Sequence, residues 1–199
     1  DLNANRRSGT DNRTNLAFYQ EEVERRCGIC LSDPLIYEAF TYYEREVLPF
    51  KNDDMINAKA MPGAHAALQA VQDAGLRCAL FTNPSFPQGA IECRIGWGEL
   101  TDAPFELVTH MGNATRCKPD ATYYLEQLQV MGLEPQEVLM VGNDPKRDFP
   151  SPDCGIQTAY VGQGKPSRAT WHGTMEDFAH NFNAVVEAFY EHQVADELS

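Results

Sequence analysis

The stretch Glu137-Val-Leu-Met-Val-Gly-Asn-Asp-Pro-Lys-Arg-Asp148 decides the reading of this chain. Val138 to Gly142 is a short apolar run, β-branched in part and ended by glycine, which predicts a buried strand. It empties into a polar loop that carries Asp144 and Asp148, four residues apart and beside Lys146 and Arg147. In open α/β sheets, ligands sit just beyond the carboxyl ends of the strands. Carboxylates at such an edge suit a hard, oxygen-seeking cation such as Mg²⁺, which keeps several of its waters. The plainer alternative is a βα loop in which an Asp caps the next helix.

Working outward, further apolar runs of strand length occur at Leu76 to Phe81, Phe105 to Thr109 and Ile156 to Val161. Helical patterns separate them: one opened by Pro62-Gly63 and ended before Gly75, one over roughly Gln88 to Trp97, and one from Asp120 to Met131 closed by Gly132. Gly162 to Gly173 reads as a loop, and Thr174 caps a long final helix to about His192. From Met61 the order is therefore αβαβαβαβα. That alternation implies crossover connections and a doubly wound parallel sheet, an α/β fold.

The N-terminal part differs. Residues 1–14 are polar and read as a loop or frayed end. Thr14 or Asn15 caps a helix to about Cys27 that buries Leu16, Phe18, Tyr19 and Val23, and Gly28 stops it. Ser32-Asp33-Pro34 opens a second helix, with Ile36, Phe40, Tyr43 and Val47 on one face, ending near Pro49. Tyr37, Tyr42, Tyr43 and Phe50 make this region aromatic-rich, a pattern read first as packing. The pair is a candidate lid, so the expected organisation is a partial helical cap over 1–58 and a Rossmann-like core over 59–199.

The totals bound the function. The chain has 199 residues, enough for one sizeable core, with 16 Lys plus Arg against 29 Asp plus Glu and a net charge of −13. A nucleic-acid partner calls for a basic face and is excluded. No apolar run spans a membrane, and the first residues do not form a signal peptide. The 6 cysteines follow no disulfide framework, which points to a cytoplasmic protein. Cys27-Gly-Ile-Cys30 reads as a redox dithiol, half a zinc site, or two ordinary thiols near a helix end. Oligomeric state is not encoded in any pattern visible here.

Three strand exits carry polar residues of a particular kind. Thr82 and Asn83 follow the run at 76–81, Lys118 lies between the strand at 105 and the helix at 120, and Asp144 and Asp148 follow the strand at 138. In a parallel sheet these exits share one rim. A hydroxyl with nearby backbone N–H groups takes phosphoryl oxygens, a lysine balances their charge, and two acids hold Mg²⁺. The set reads as a phosphate and metal site.

On these residues the chain resembles the haloacid dehalogenase-like (HAD) superfamily of hydrolases, over about Ala60 to Val161. FTNPSF is similar to its second motif, CKPD to its third and VGNDPKRD to its fourth. The stretches TNPSFP, RIGW and VGND are similar to a bacterial branch with a small helical cap. The resemblance implies that Thr82 binds the phosphoryl group, that Lys118 stabilises it with the nucleophile, that Asp144 ligates Mg²⁺, and that Asp148 orients the metal or the lysine. It implies a Mg²⁺-dependent phosphatase working through an aspartyl phosphate.

The family's first motif, DxDxT, is not matched. Asp1-Leu-Asn-Ala-Asn5 has Asp at the first place and Asn at the third and fifth. The expectation is that the nucleophile motif lies upstream, with the central first strand missing from this chain, or that the lineage has lost it. As given, the chain would then turn over little or nothing. In the family that strand lies between those at 77 and 138. Pro150 and Pro152 are a second departure, since they delay the helix usual there. The alternative reading is a non-catalytic phosphate-binding or interaction protein on the same scaffold. A receiver domain of response regulators fits less well, because receivers keep their acids early in the chain.

Overall fold

The computed structural model describes residues 3–53, 56–149, 154–164 and 168–197, of which 192–197 by backbone alone. Asp1, Pro150 and Pro152 lie outside the described residues. The chain falls into two compact units, Asp1–Ala60 with Ala79–Cys117, and Met61–Cys78 with Lys118–Ser199. The architecture is mixed α/β. The strands pair as a two-stranded sheet, β1 (Cys78–Leu80) with β2 (Phe105–Val108), and a three-stranded sheet in the order β3 (Leu139–Gly142), β4 (Gln157–Val161), β5 (Trp171–Gly173).

In the first unit, α1 (Asn15–Cys27) begins where predicted: Thr14 Oγ1 accepts from the Ala17 N–H at 3.3 Å, and Gly28 closes the helix at φ +66°. Asn15 is fully buried and works as a hub. Its amide nitrogen donates to Pro84 O at 3.1 Å and Arg116 O at 2.9 Å, and its Oδ1 accepts from Arg7 Nη2 at 2.9 Å. The preceding segment is irregular, as expected, but residues 3–13 are not frayed. Asn5 Nδ2 donates to Cys117 O at 2.9 Å while the Cys117 N–H donates to Asn5 Oδ1 at 2.7 Å, so one side chain copies a strand's pairing. Arg116 Nη2 and Nη1 donate to Ser8 O and Asp11 O. Those partners lie about a hundred residues away in sequence, beyond the reach of any local pattern.

The second helix of that unit is shorter than its periodicity suggested. α2 (Pro34–Tyr42) is capped by Asp33 and gives way to a wide turn over Tyr43–Val47 and a tight one over Leu48–Lys51. Its aromatic stripe is not core: Tyr37, Phe40, Tyr42, Tyr43 and Phe50 are all exposed, Phe50 at 82%. α4 (Gln88–Trp97) follows the prediction closely and buries Ala90 and Ile91.

The second unit holds the larger apolar core. β4 runs parallel to β3, with Val141 opposite Ala159, and parallel to β5, with Ala159 opposite Trp171. Flanked on both sides, β4 buries Thr158 to Val161 without alternation, as a central parallel strand does. Ala159 and Val161 pack with Ala67 of α3 (Ala64–Asp73), Phe178 of α6 (Met175–His180), and Phe182 and Val185 of α7 (Phe182–Glu197). α5 (Ala121–Met131), capped by Asp120 and closed by Gly132, matches its prediction.

Two sequence expectations need correction here. The loop predicted over 162–173 contains β5, whose three residues are too few for a periodic signal. The single final helix is broken at Asn181, whose side chain donates to Asp177 O at 2.7 Å. That bond competes with helix continuation, a habit of Asn side chains.

Candidate active site

β3 ends at Gly142, and the chain turns at once into the acidic loop. Gly142 is required there: a Cβ would meet Asp148, with Cγ and Oδ2 both at 2.8 Å. The close approach lets Asp148 fold back over the strand end. Its Oδ2 accepts from the N–H groups of Asn143 at 3.0 Å and Asp144 at 2.8 Å. Its Oδ1 accepts from Lys118 Nζ at 2.8 Å. This ion pair is mostly out of water, with side chains 6% and 14% exposed. A pair so placed carries more weight than a surface bridge, because an unpartnered buried charge is costly.

Lys118 reaches Asp148 because Asp120 starts α5 immediately afterward, accepting from Thr122 N–H at 2.9 Å. The same helix sends Tyr124 beneath the acidic loop. The Tyr124 hydroxyl donates to Arg147 O at 2.7 Å, with Asp148 O at 2.9 Å sharing the proton. Burial, first, and then Tyr123 and Asp148 push its pKa well above that of an ordinary phenol, so it remains a donor.

Asp144 has a different surrounding. Its Oδ1 accepts from the N–H groups of Lys146 at 2.9 Å and Arg147 at 3.3 Å, which forms an Asx turn; residues 145–149 form turns and a bend, with no helix there for Asp144 to cap. Among the described residues the group facing its Oδ2 is Arg147 Nε, at 3.7 Å, and the Asp144 side chain is 43% exposed. Asp144 thus retains an oxygen toward solvent, while both oxygens of Asp148 are engaged. Among the described residues no group of three or more His, Cys, Asp or Glu is arranged to hold a metal ion. The donor set suits Mg²⁺ all the same: that ion takes one or two carboxylates and completes its shell with water and substrate phosphate.

Thr82 and Asn83 belong to the first unit. Thr82 leaves β1 half-buried, and Asn83 is exposed. The Thr82 N–H donates to Thr109 Oγ1 at 2.8 Å, and the Thr82 hydroxyl donates to Thr109 O at 2.6 Å. Thr109, fully buried, thus braces the residue that the sequence singled out. The structure brings Lys118, Asp144 and Asp148 together within the second unit and pairs Thr82 with Thr109 in the first. Sequence reasoning missed Thr109 and Tyr124. The Thr closing the run FELVT is the same signal as the Thr after LRCALF; Tyr124 has no signal, since an apolar helix face hides its hydroxyl.

Solved structures share this fold. The CbbY structure from Rhodobacter sphaeroides in complex with phosphate superposes with a TM-score of 0.51 at 13% identity, over 60% of this chain and 56% of that one. Thus the chain spans little more than half the length of that relative. The β-phosphoglucomutase from Clostridium difficile gives a TM-score of 0.57 at 15% identity, over 90% of this chain and 77% of the other. The HAD phosphatase from Thermococcus onnurineus gives 0.53 at 16% identity, over 89% and 94%. No curated protein matches in sequence. The haloacid dehalogenase-like hydrolase family matches over residues 19–151, two thirds of the chain, and the protein belongs to that family.

Proposed function

We propose that the protein is a Mg²⁺-dependent phosphatase of small phosphorylated metabolites that works through an aspartyl phosphate. The observation that carries this reading is the shielded Lys118–Asp148 pair beside the open oxygen of Asp144, at the exit of a parallel strand. Asp144 would hold the ion. Mg²⁺, when bound, supplies positive charge against the negative charge that develops on a transferred phosphoryl group. Asp148 holds and aims Lys118, and Lys118 balances the phosphoryl oxygens. Thr82 would donate from its hydroxyl after release from Thr109 O. Among the fold relatives, CbbY was solved in complex with phosphate and the Thermococcus onnurineus protein is a HAD phosphatase, which agrees with a phosphorylated substrate. Six cysteines in the thiol form suit the reducing cytoplasm, where we place the protein.

The test is hydrolysis of 4-nitrophenyl phosphate by a chain extended upstream through an apolar strand with DxDxT. Turnover that requires Mg²⁺ and disappears in K118M is expected. An extended, folded chain that hydrolyses nothing defeats the proposal. The absence of DxDxT from residues 1–199 favours one second reading, a non-catalytic phosphate-binding protein on this scaffold. A native start lacking that motif, together with measurable binding of inorganic phosphate, would select it.

A further inference from the structure

The starting residues of α5 act on residue 148 from two directions. Lys118, just ahead of the helix, holds its carboxylate, and Tyr124, in the first turns, holds the main chain on either side of its Cα. The next residue, Phe149, is 1% exposed and packs edge-on against Tyr160 with ring centres 5.9 Å apart. Asp148 is thereby fixed on the side that follows it as well. Its remaining carboxylate oxygen takes the N–H groups of Asn143 and Asp144. A shift of the main chain at 147–148 would therefore disturb all three hydrogen bonds of the Asp148 carboxylate at once, including the one to Lys118.

We propose that Tyr124 is a positioning residue: its hydroxyl sets the main chain at Arg147–Asp148, and through it the aim of Lys118. The ring alone does not explain the hydroxyl. Tyr124 is fully buried against Tyr123, ring centres 5.0 Å apart, and a phenylalanine would fill the same space. What only the hydroxyl adds is a donor for the carbonyls of Arg147 and Asp148. Without that donor the carbonyls are left to find water, and the turn relaxes toward solvent. Burial holds the phenol protonated through neutral and mildly alkaline pH, so the grip does not titrate there. The inference rests on the proposed function only in the claim that Lys118 serves a phosphoryl group; the grip itself stands on geometry.

The variant is Y124F in the whole chain. Competitive acetylation by acetic anhydride, read by mass spectrometry, compares Lys118 with exposed Lys51, Lys59 and Lys146. Lys118 in Y124F is expected to label faster relative to those three, on the order of tenfold, the scale of one lost hydrogen bond. Amide exchange at Asn143 and Asp144 is expected to quicken while the central amides of α5 keep their protection. That contrast separates positioning from a general loss of stability. Unchanged relative labelling of Lys118, or labelling that rises only in step with exchange throughout α5, overturns the proposal. Inorganic phosphate added to the wild-type protein separates the two layers. Protection of Lys118 is expected if it serves a phosphoryl group. No protection, together with faster labelling in Y124F, removes the phosphate role and leaves the grip established.

Discussion

A side chain at position 142 would occupy the space taken by Asp148, whose Cγ and Oδ2 would lie 2.8 Å from a Cβ there. The glycine that ends β3 is thus part of the acidic loop's geometry. G142A should push Asp148 away from Lys118 and from the N–H groups of Asn143 and Asp144. Overpacking of this kind costs about 1–3 kcal/mol. Urea unfolding of wild type and G142A measures it, and equal midpoints would show that the loop yields freely.

The Lys118–Asp148 pair should be strongly coupled. K118M leaves a nearly enclosed carboxylate without its cation and is expected to destabilise the fold by about 3 kcal/mol. D148N loses the same bond from the other side. A double-mutant cycle should give an interaction of about 2 kcal/mol, within the range for contacting residues. Additive effects would mean that the two groups do not sense one another in solution.

Thr109 should matter through Thr82. T109V removes the oxygen that accepts the Thr82 N–H, leaving a half-buried donor without it, at about 1–2 kcal/mol. T109S keeps that oxygen and should retain most of the stability. Thermal unfolding of the two variants side by side decides the point; a serine variant as weak as the valine one would assign the effect to the missing methyl.

His110 makes a pH prediction. Its Nδ1 accepts from the Gly112 N–H at 3.1 Å, which only the neutral ring with its proton on Nε2 can do. Burial lowers its pKa from the ordinary value of 6.5, against a smaller opposing pull from Glu92. A depressed folded pKa means that the unfolded chain binds the proton first. The contribution is therefore complete above about pH 6.5 and is lost as pH falls through the lower, folded value. The melting temperature should decline between pH 7 and pH 5 more steeply for wild type than for H110N. Parallel curves would assign the decline to other groups.

The sequence speaks clearly wherever local chemistry closes an element. α1 is legible because Thr14 and Gly28 bracket it, α5 because Asp120 and Gly132 do, and β3 because an apolar run meets an obligatory glycine. β5 is not legible, since Trp171-His-Gly173 becomes a strand only by pairing with β4. The break at Asn181 depends on a side chain choosing a carbonyl over the helix. Lys118, Asp144 and Asp148 could be named as a set from residue type and order. Their division of labour could not, because it turns on which carboxylate oxygens the backbone has already claimed. The exposure of Tyr37, Tyr42 and Phe50 was equally hidden, as periodicity identifies a face and not what covers it.

The docking of Asn5 onto Cys117 has a chemical consequence. Cys117 is 7% exposed, and its sulfur lies 3.6 Å from Asn15 Nδ2 and 3.8 Å from Ser85 Oγ. Residues 3–13 fold over the backbone on which that thiol sits. Iodoacetamide should therefore alkylate Cys27, on the exposed end of α1, long before Cys117, and should reach Cys117 readily once Asn5 is changed to alanine. A single thiol then reports, from outside the acidic loop, whether the opening residues are in place.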